Sequence, residues 1–175
     1  WALAKAVPQS QPAPLLRSVQ DDLKRQGVAR LSPQDVSMLL WSFARFEWDV
    51  DAEVLSTLTH HVATNCPEYP DVSLLVTCLA FTRLGFAQQP VLVELYRSVY
   101  ARLPALRDSQ MAFAFFLFST SGIRDEPLLR RFLFECSQRL PGLRGHDLSN
   151  ALLACSRTST PRALEEAYGL GGRFR

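Results

Sequence analysis

Apolar residues along this chain recur at the spacing of amphipathic helices, and the helices recur in turn. Val36, Leu39, Leu40, Phe43 and Phe46 fall three and four residues apart, the signature of one buried helical face. The helix they predict opens at Ser32-Pro33-Gln34-Asp35. Ser32 suits the cap, Pro33 the first turn, and Asp35 the place where a capping box takes a carboxylate. It runs to about Arg45. Asp51 starts a second helix carrying Val54, Leu55, Leu58 and Val62, and Cys66-Pro67-Glu68-Tyr69-Pro70 breaks it. The same reasoning predicts pairs at Asp71–Arg83 with Pro90–Leu103, and at Asp108–Ser121 with Pro127–Leu140. Gly122 is expected to end the first helix of the latter pair. His146–Arg157 is followed by a weak helix at Pro161–Tyr168. A helix at Pro14–Gln26 and a Pro- and Gln-bearing loop at Val7–Ala13 precede them all. No strand pattern competes.

The pairs are in register. Trp41, Leu79, Phe116 and Leu153 share one column, 38, 37 and 37 residues apart. Phe43, Phe81, Phe118 and Cys155 share the column two further on, and Asp35, Ser73, Gln110 and Asp147 a polar column six before the first. A period of 37 to 38 residues predicts an all-α solenoid of antiparallel helix pairs. One array is expected over 1–175, with about five repeats and a Gly/Arg-rich tail at 169–175. The opening Trp1-Ala2-Leu3-Ala4-Lys5-Ala6 matches the middle of the repeated phrase, so the first repeat is truncated and further residues are expected before it.

Composition narrows the classes. The hydrophobic fraction of 47% supplies a continuous interior. The formal net charge is only +2, spread as +3 over Trp1–Arg30, −4 over Leu31–Cys66 and +2 over Leu143–Arg175. Charge alone therefore does not announce nucleic acid. No apolar run is long enough to span a membrane, and Met111–Phe118 reads as a buried helix segment. Cys66, Cys78, Cys136 and Cys155 form no CxxC pair and fit no zinc framework, so reduced, buried thiols are expected. His60 and His61 are adjacent, not four apart as a helical metal pair requires. Gly169-Leu170-Gly171-Gly172 lacks the lysine of a phosphate loop. No catalytic constellation, cofactor or metal site is expected, and the chain is read as a non-enzyme.

Trp1-Ala2-Leu3-Ala4-Lys5-Ala6 and Leu39-Leu40-Trp41-Ser42-Phe43-Ala44-Arg45-Phe46 resemble the "LWALAKLG" signature of octotricopeptide and heptatricopeptide repeats. That signature is related to the helical repeats of FAST-kinase-like and RAP-domain proteins. Gln34-Asp35-Val36-Ser37 and Asp147-Leu148-Ser149-Asn150 match the same style. Leu79, Phe116 and Leu153 depart from it at the tryptophan. The resemblance implies an RNA-binding protein of the mitochondrion, alternatively the plastid. It would act as an architectural subunit of a mitochondrial ribosome or as a sequence-specific RNA maturation factor; a protein-only scaffold in an organellar complex, without RNA affinity, is the alternative from another class. Its expected partners are rRNA or an organellar transcript together with ribosomal or other organellar proteins, and no membrane.

Two columns are candidates for touching RNA. Lys5, Arg45, Arg83, Thr120 and Arg157 occupy one site near the end of the first helix of each pair. Four of the five are basic, a ladder suited to a phosphate backbone. A cation in a last helical turn also favourably meets the helix dipole in any protein. Gln34, Met38, Ser73, Gln110 and Asn150, near the starts of those helices, are candidates to face bases, because side chains that vary from repeat to repeat can read one base each. Helix capping explains such polar residues equally. Arg97, Arg102, Arg130, Arg131 and Arg139 on the second helices read as solvated surface, available to RNA or protein in an assembly.

Overall fold

The computed structural model describes residues 13–86 and 90–158. Among them are eight α-helices and no strand: α1 (Ala13–Gln26), α2 (Pro33–Arg45), α3 (Ala52–Asn65), α4 (Asp71–Arg83), α5 (Pro90–Arg102), α6 (Asp108–Thr120), α7 (Glu126–Arg139) and α8 (His146–Thr158). The all-α class is thus as expected. The opening phrase with Lys5, the Pro161–Tyr168 helix and the 169–175 tail lie outside the described residues. The chain divides into two compact units, Trp1–Leu95 and Tyr96–Arg175, with the boundary inside α5.

In the first unit, α2 packs on α4 and on α3, and α1 packs on α3. Val36, Leu40 and Phe43 of α2 are fully buried, as are Leu58 and Val62 of α3 and Cys78 and Phe81 of α4. Each large side chain so removed from water contributes about 1.5–3 kcal/mol before the entropy of ordering the chain is subtracted. The helix starts are fixed by the expected polar residues. The Asp35 N–H donates to Ser32 Oγ at 3.2 Å, and the Ser32 N–H donates to the Asp35 carboxylate at 3.0 Å, completing the capping box. Asp51 caps α3 by accepting from the Glu53 N–H at 3.0 Å. Lys24 Nζ reaches the same carboxylate at 2.7 Å and ties α1 to the start of α3.

The helix ends are as regular as the starts. The Trp48 N–H returns to the Phe43 carbonyl at 3.0 Å and the Phe86 N–H to the Phe81 carbonyl at 2.9 Å. This is the Schellman closure, which needs a left-handed residue just past the helix. Gly85 supplies it at φ 83° and Glu47 at φ 51°; after α6 Gly122 sits at φ 76°, as expected for a helix end.

In the second unit, α6 packs on α8 and on α7. Met111, Ala112, Ala114, Phe115, Leu117 and Phe118 are buried, so the apolar run of α6 is interior, with Phe113 and Phe116 half-exposed. Phe132 of α7 stacks on Phe115 and Phe118, with ring centroids 5.4 and 5.3 Å apart.

Short 3₁₀ turns at Cys66–Glu68, Leu103–Ala105 and Leu140–Gly142 close α3, α5 and α7. Each holds a proline, Pro67, Pro104 and Pro141, spaced 37 residues apart. Two residues past each proline a buried side chain, Tyr69, Leu106 or Leu143, anchors the exit. Arg139 on α7 fastens one of these turns: it donates to the carbonyls of Leu103 (3.1 Å), Pro104 (3.0 Å) and Leu106.

Candidate nucleic-acid interface

α2, α4, α6 and α8 are each 13 residues long and present one stripe alike. On α2 it runs through Gln34, Met38, Trp41 and Arg45, residues four, three and four apart, which lie on one helical face. The corresponding stripes are Val72, Val76, Leu79 and Arg83 on α4, Ser109, Phe113, Phe116 and Thr120 on α6, and His146, Asn150, Leu153 and Arg157 on α8. All these residues are exposed or half-exposed except Asn150, which is buried.

The last-turn arginines meet the aromatic column of the neighbouring stripe. In the first unit the guanidinium of Arg83 lies over the indole of Trp41, 5.0 Å from the ring centroid. In the second, that of Arg157 lies over Phe116 at 5.3 Å. The two contacts are equivalent, because Arg83 and Arg157 share one sequence column and Trp41 and Phe116 another. Such a contact is worth about 0.5–1 kcal/mol at an exposed site. It also holds an otherwise flexible cation in a set position.

Arg45, Arg83 and Arg157 are exposed, and among the described residues none of them meets a carboxylate. Arginines of α7 behave differently. Arg130 pairs with Glu126 at 3.0 Å, Arg131 with Glu135 at 2.7 Å, and Arg139 with Glu135 at 3.2 Å. Glu135 keeps only 9% of its side chain exposed between those two arginines. Arg139, with 17% of its side chain exposed, is a turn-fastening residue and not the solvated one expected from sequence.

The candidate base-facing residues are not brought together. Gln34 is exposed and Met38 half-exposed. Ser73 and Asn150 are 7% and 6% exposed, so their side chains face the helix packing and are closed to a base. The reason is local: Ser73 is one helical step off the α4 stripe, among the buried Leu74, Leu75 and Thr77. Gln110 is half-exposed and accepts from the Arg107 N–H at 3.0 Å, which is a capping role. Thr120, the non-basic member of the ladder, donates to the Leu117 carbonyl at 2.9 Å.

Among the described residues no three His, Cys, Asp or Glu side chains gather as a metal would require, and no helix is long and apolar enough to cross a membrane. Cys66, Cys78 and Cys136 are buried and Cys155 is half-exposed. Burial raises the Cys78 thiol above its usual range, and a hydrogen bond with Cys155, then burial, does the same for Cys136.

No family model matches the chain, and no curated protein matches it.

The arginine-over-aromatic contacts were within reach of sequence. The two columns are visible separately; that the cation of α4 lands on the ring of α2, and that of α8 on the ring of α6, is what folding adds. The 37-residue spacing of Pro67, Pro104 and Pro141 is a second signal, and it marks the three turns, one of which Arg139 helps to hold.

Proposed function

We propose that this chain is part of an α-solenoid of 37–38-residue helix pairs that binds RNA, as an architectural subunit of a mitochondrial ribosome. The observation that carries the proposal is the pair of arginine-over-aromatic contacts, Arg83 on Trp41 and Arg157 on Phe116, on arginines that no carboxylate neutralises among the described residues. Cations held in place without a counter-charge are suited to phosphate. Helix spacing supports the repeat: α2, α4, α6 and α8 begin at 33, 71, 108 and 146. The near-neutral charge of +2 supports a subunit enclosed by other components over a free binder that relies on phosphate contacts. The mitochondrial setting rests on the resemblance of the repeated phrase to octotricopeptide and heptatricopeptide repeats. No catalytic role belongs to this reading.

A protein-only scaffold has one observation in its favour: Val72, Leu152 and Leu153 are 56%, 57% and 47% exposed, apolar surface that a protein neighbour would cover. Sedimentation of the tagged protein from an organelle lysate, with and without RNase, separates the readings. Co-migration with a ribosomal subunit is the expected result. A smaller RNase-sensitive particle would favour a maturation factor. A heavy position indifferent to RNase and away from ribosomes would leave the scaffold.

A further inference from the structure

The open stripes are poor in groups that read bases, and this bears on what kind of RNA they hold. It rests on the RNA-binding reading above. Sequence-specific readers place two or three polar side chains per repeat against base edges. On α4 the stripe before Arg83 is Val72, Val76 and Leu79, which offer no donor or acceptor. On α2 and α6 the middle of the stripe is Met38 and Trp41, and Phe113 and Phe116. The polar candidates are withdrawn: Ser73, one position off its stripe, and Asn150, on its stripe, are buried, and Gln110 is occupied at a helix start. One polar residue in the first turn of α2, α6 and α8 remains open, and it changes from Gln34 to Ser109 to His146. What each unit keeps is an aromatic ring, a guanidinium over it, and apolar side chains along the same stripe. Every base has a flat face and every nucleotide a phosphate, so such a platform treats sequences alike.

We propose that each unit grips single-stranded RNA through base faces and phosphates, without reading its sequence. A duplex hides its base faces within the stack and is held less well.

The test is fluorescence anisotropy of the full chain with labelled short strands of U, of C, of A and of mixed sequence, alongside a blunt RNA duplex. Affinities within about tenfold of one another for the single strands, and weaker binding of the duplex, are expected. A preference beyond tenfold for one strand overturns the proposal, and so does equal or tighter binding of the duplex. Absence of binding to every RNA overturns the RNA reading itself, a distinct result. Arg83→Gln and Trp41→Leu, each checked for a native helical spectrum, should weaken all four strands by a common factor of about three to ten. Loss confined to one strand would show that these residues read a base.

Discussion

Glu47 occupies a position that suits glycine. It stands just past α2 at φ 51°, where the equivalent residues past α4 and α6 are Gly85 and Gly122. A side chain in the left-handed region costs about 1–2 kcal/mol, from Cβ against the following carbonyl, and glycine escapes that cost at some expense in unfolded-state entropy. Glu47→Gly should therefore stabilise the chain by about 1 kcal/mol, read as a higher urea midpoint at unchanged slope. Ser32 bears a pH-dependent share of the α2 cap. Its hydroxyl donates to the Asp35 carboxylate at 2.6 Å, and this bond first, with the Ser32 N–H second, holds Asp35 below the usual carboxylate range. A carboxyl depressed by folding contributes stability that is present above its unfolded value, about 3.9, and is lost as pH falls through the folded one. Ser32→Ala should cost about 1 kcal/mol at pH 7. Melting curves taken in steps down to about pH 2 should show that deficit narrowing without vanishing, because Ser32 Oγ also accepts from the Asp35 N–H. A deficit that grows on acidification would refute this account.

At the scale of elements, the turn after α5 depends on a side chain from α7. Arg139 satisfies three backbone carbonyls and half of the buried Glu135 pair. Arg139→Met keeps the apolar stem but leaves those acceptors unserved, and should cost about 3 kcal/mol in urea unfolding. Arg130→Met, which breaks the exposed pair with Glu126, should stay within about 0.5 kcal/mol of the parent. Most helices were legible in the sequence because capping and periodicity agree there. Pro33–Arg45 and Asp71–Arg83 are the bounds expected, and α7 begins one residue before the expected Pro127. The candidate site was legible only in part. Column alignment finds Arg83 and Trp41 separately, but which residue faces outward depends on a rotation of about 100° per step, set by tertiary packing. That rotation turns Ser73 inward and leaves Val72 out. Arg139 was misread for a related reason: its partners are carbonyls 33 to 36 residues away, and no local pattern announces them.

For the whole molecule, a net charge of +2 spread over 175 residues leaves little general attraction for a polyanion. Binding should then draw on a few placed cations. With Arg45, Arg83 and Arg157 each meeting a phosphate, the slope of log affinity against log salt should be about −2, at roughly −0.7 per contact for a single strand. A slope steeper than about −4 would mean that arginines beyond this column, or the basic residues at either end of the chain, carry the binding. The thiols offer a separate check on the packing. Cys155 is half-exposed, whereas Cys66, Cys78 and Cys136 are buried. An aromatic disulfide reagent should label Cys155 first in the native protein, and the other three only on unfolding. Early labelling of Cys78 would mean that the packing of α4 opens well before the chain unfolds.

The glutamate past α2 has a genetic meaning as well. A position where one common substitution relieves strain is where second-site suppressors arise. Selection for revertants of a crippled Ser32 variant, which lacks the cap at the other end of α2, should return to codon 47, exchanging glutamate for glycine. The chain would regain solubility at restrictive temperature, because the strain relieved past α2 offsets the cap lost at its start.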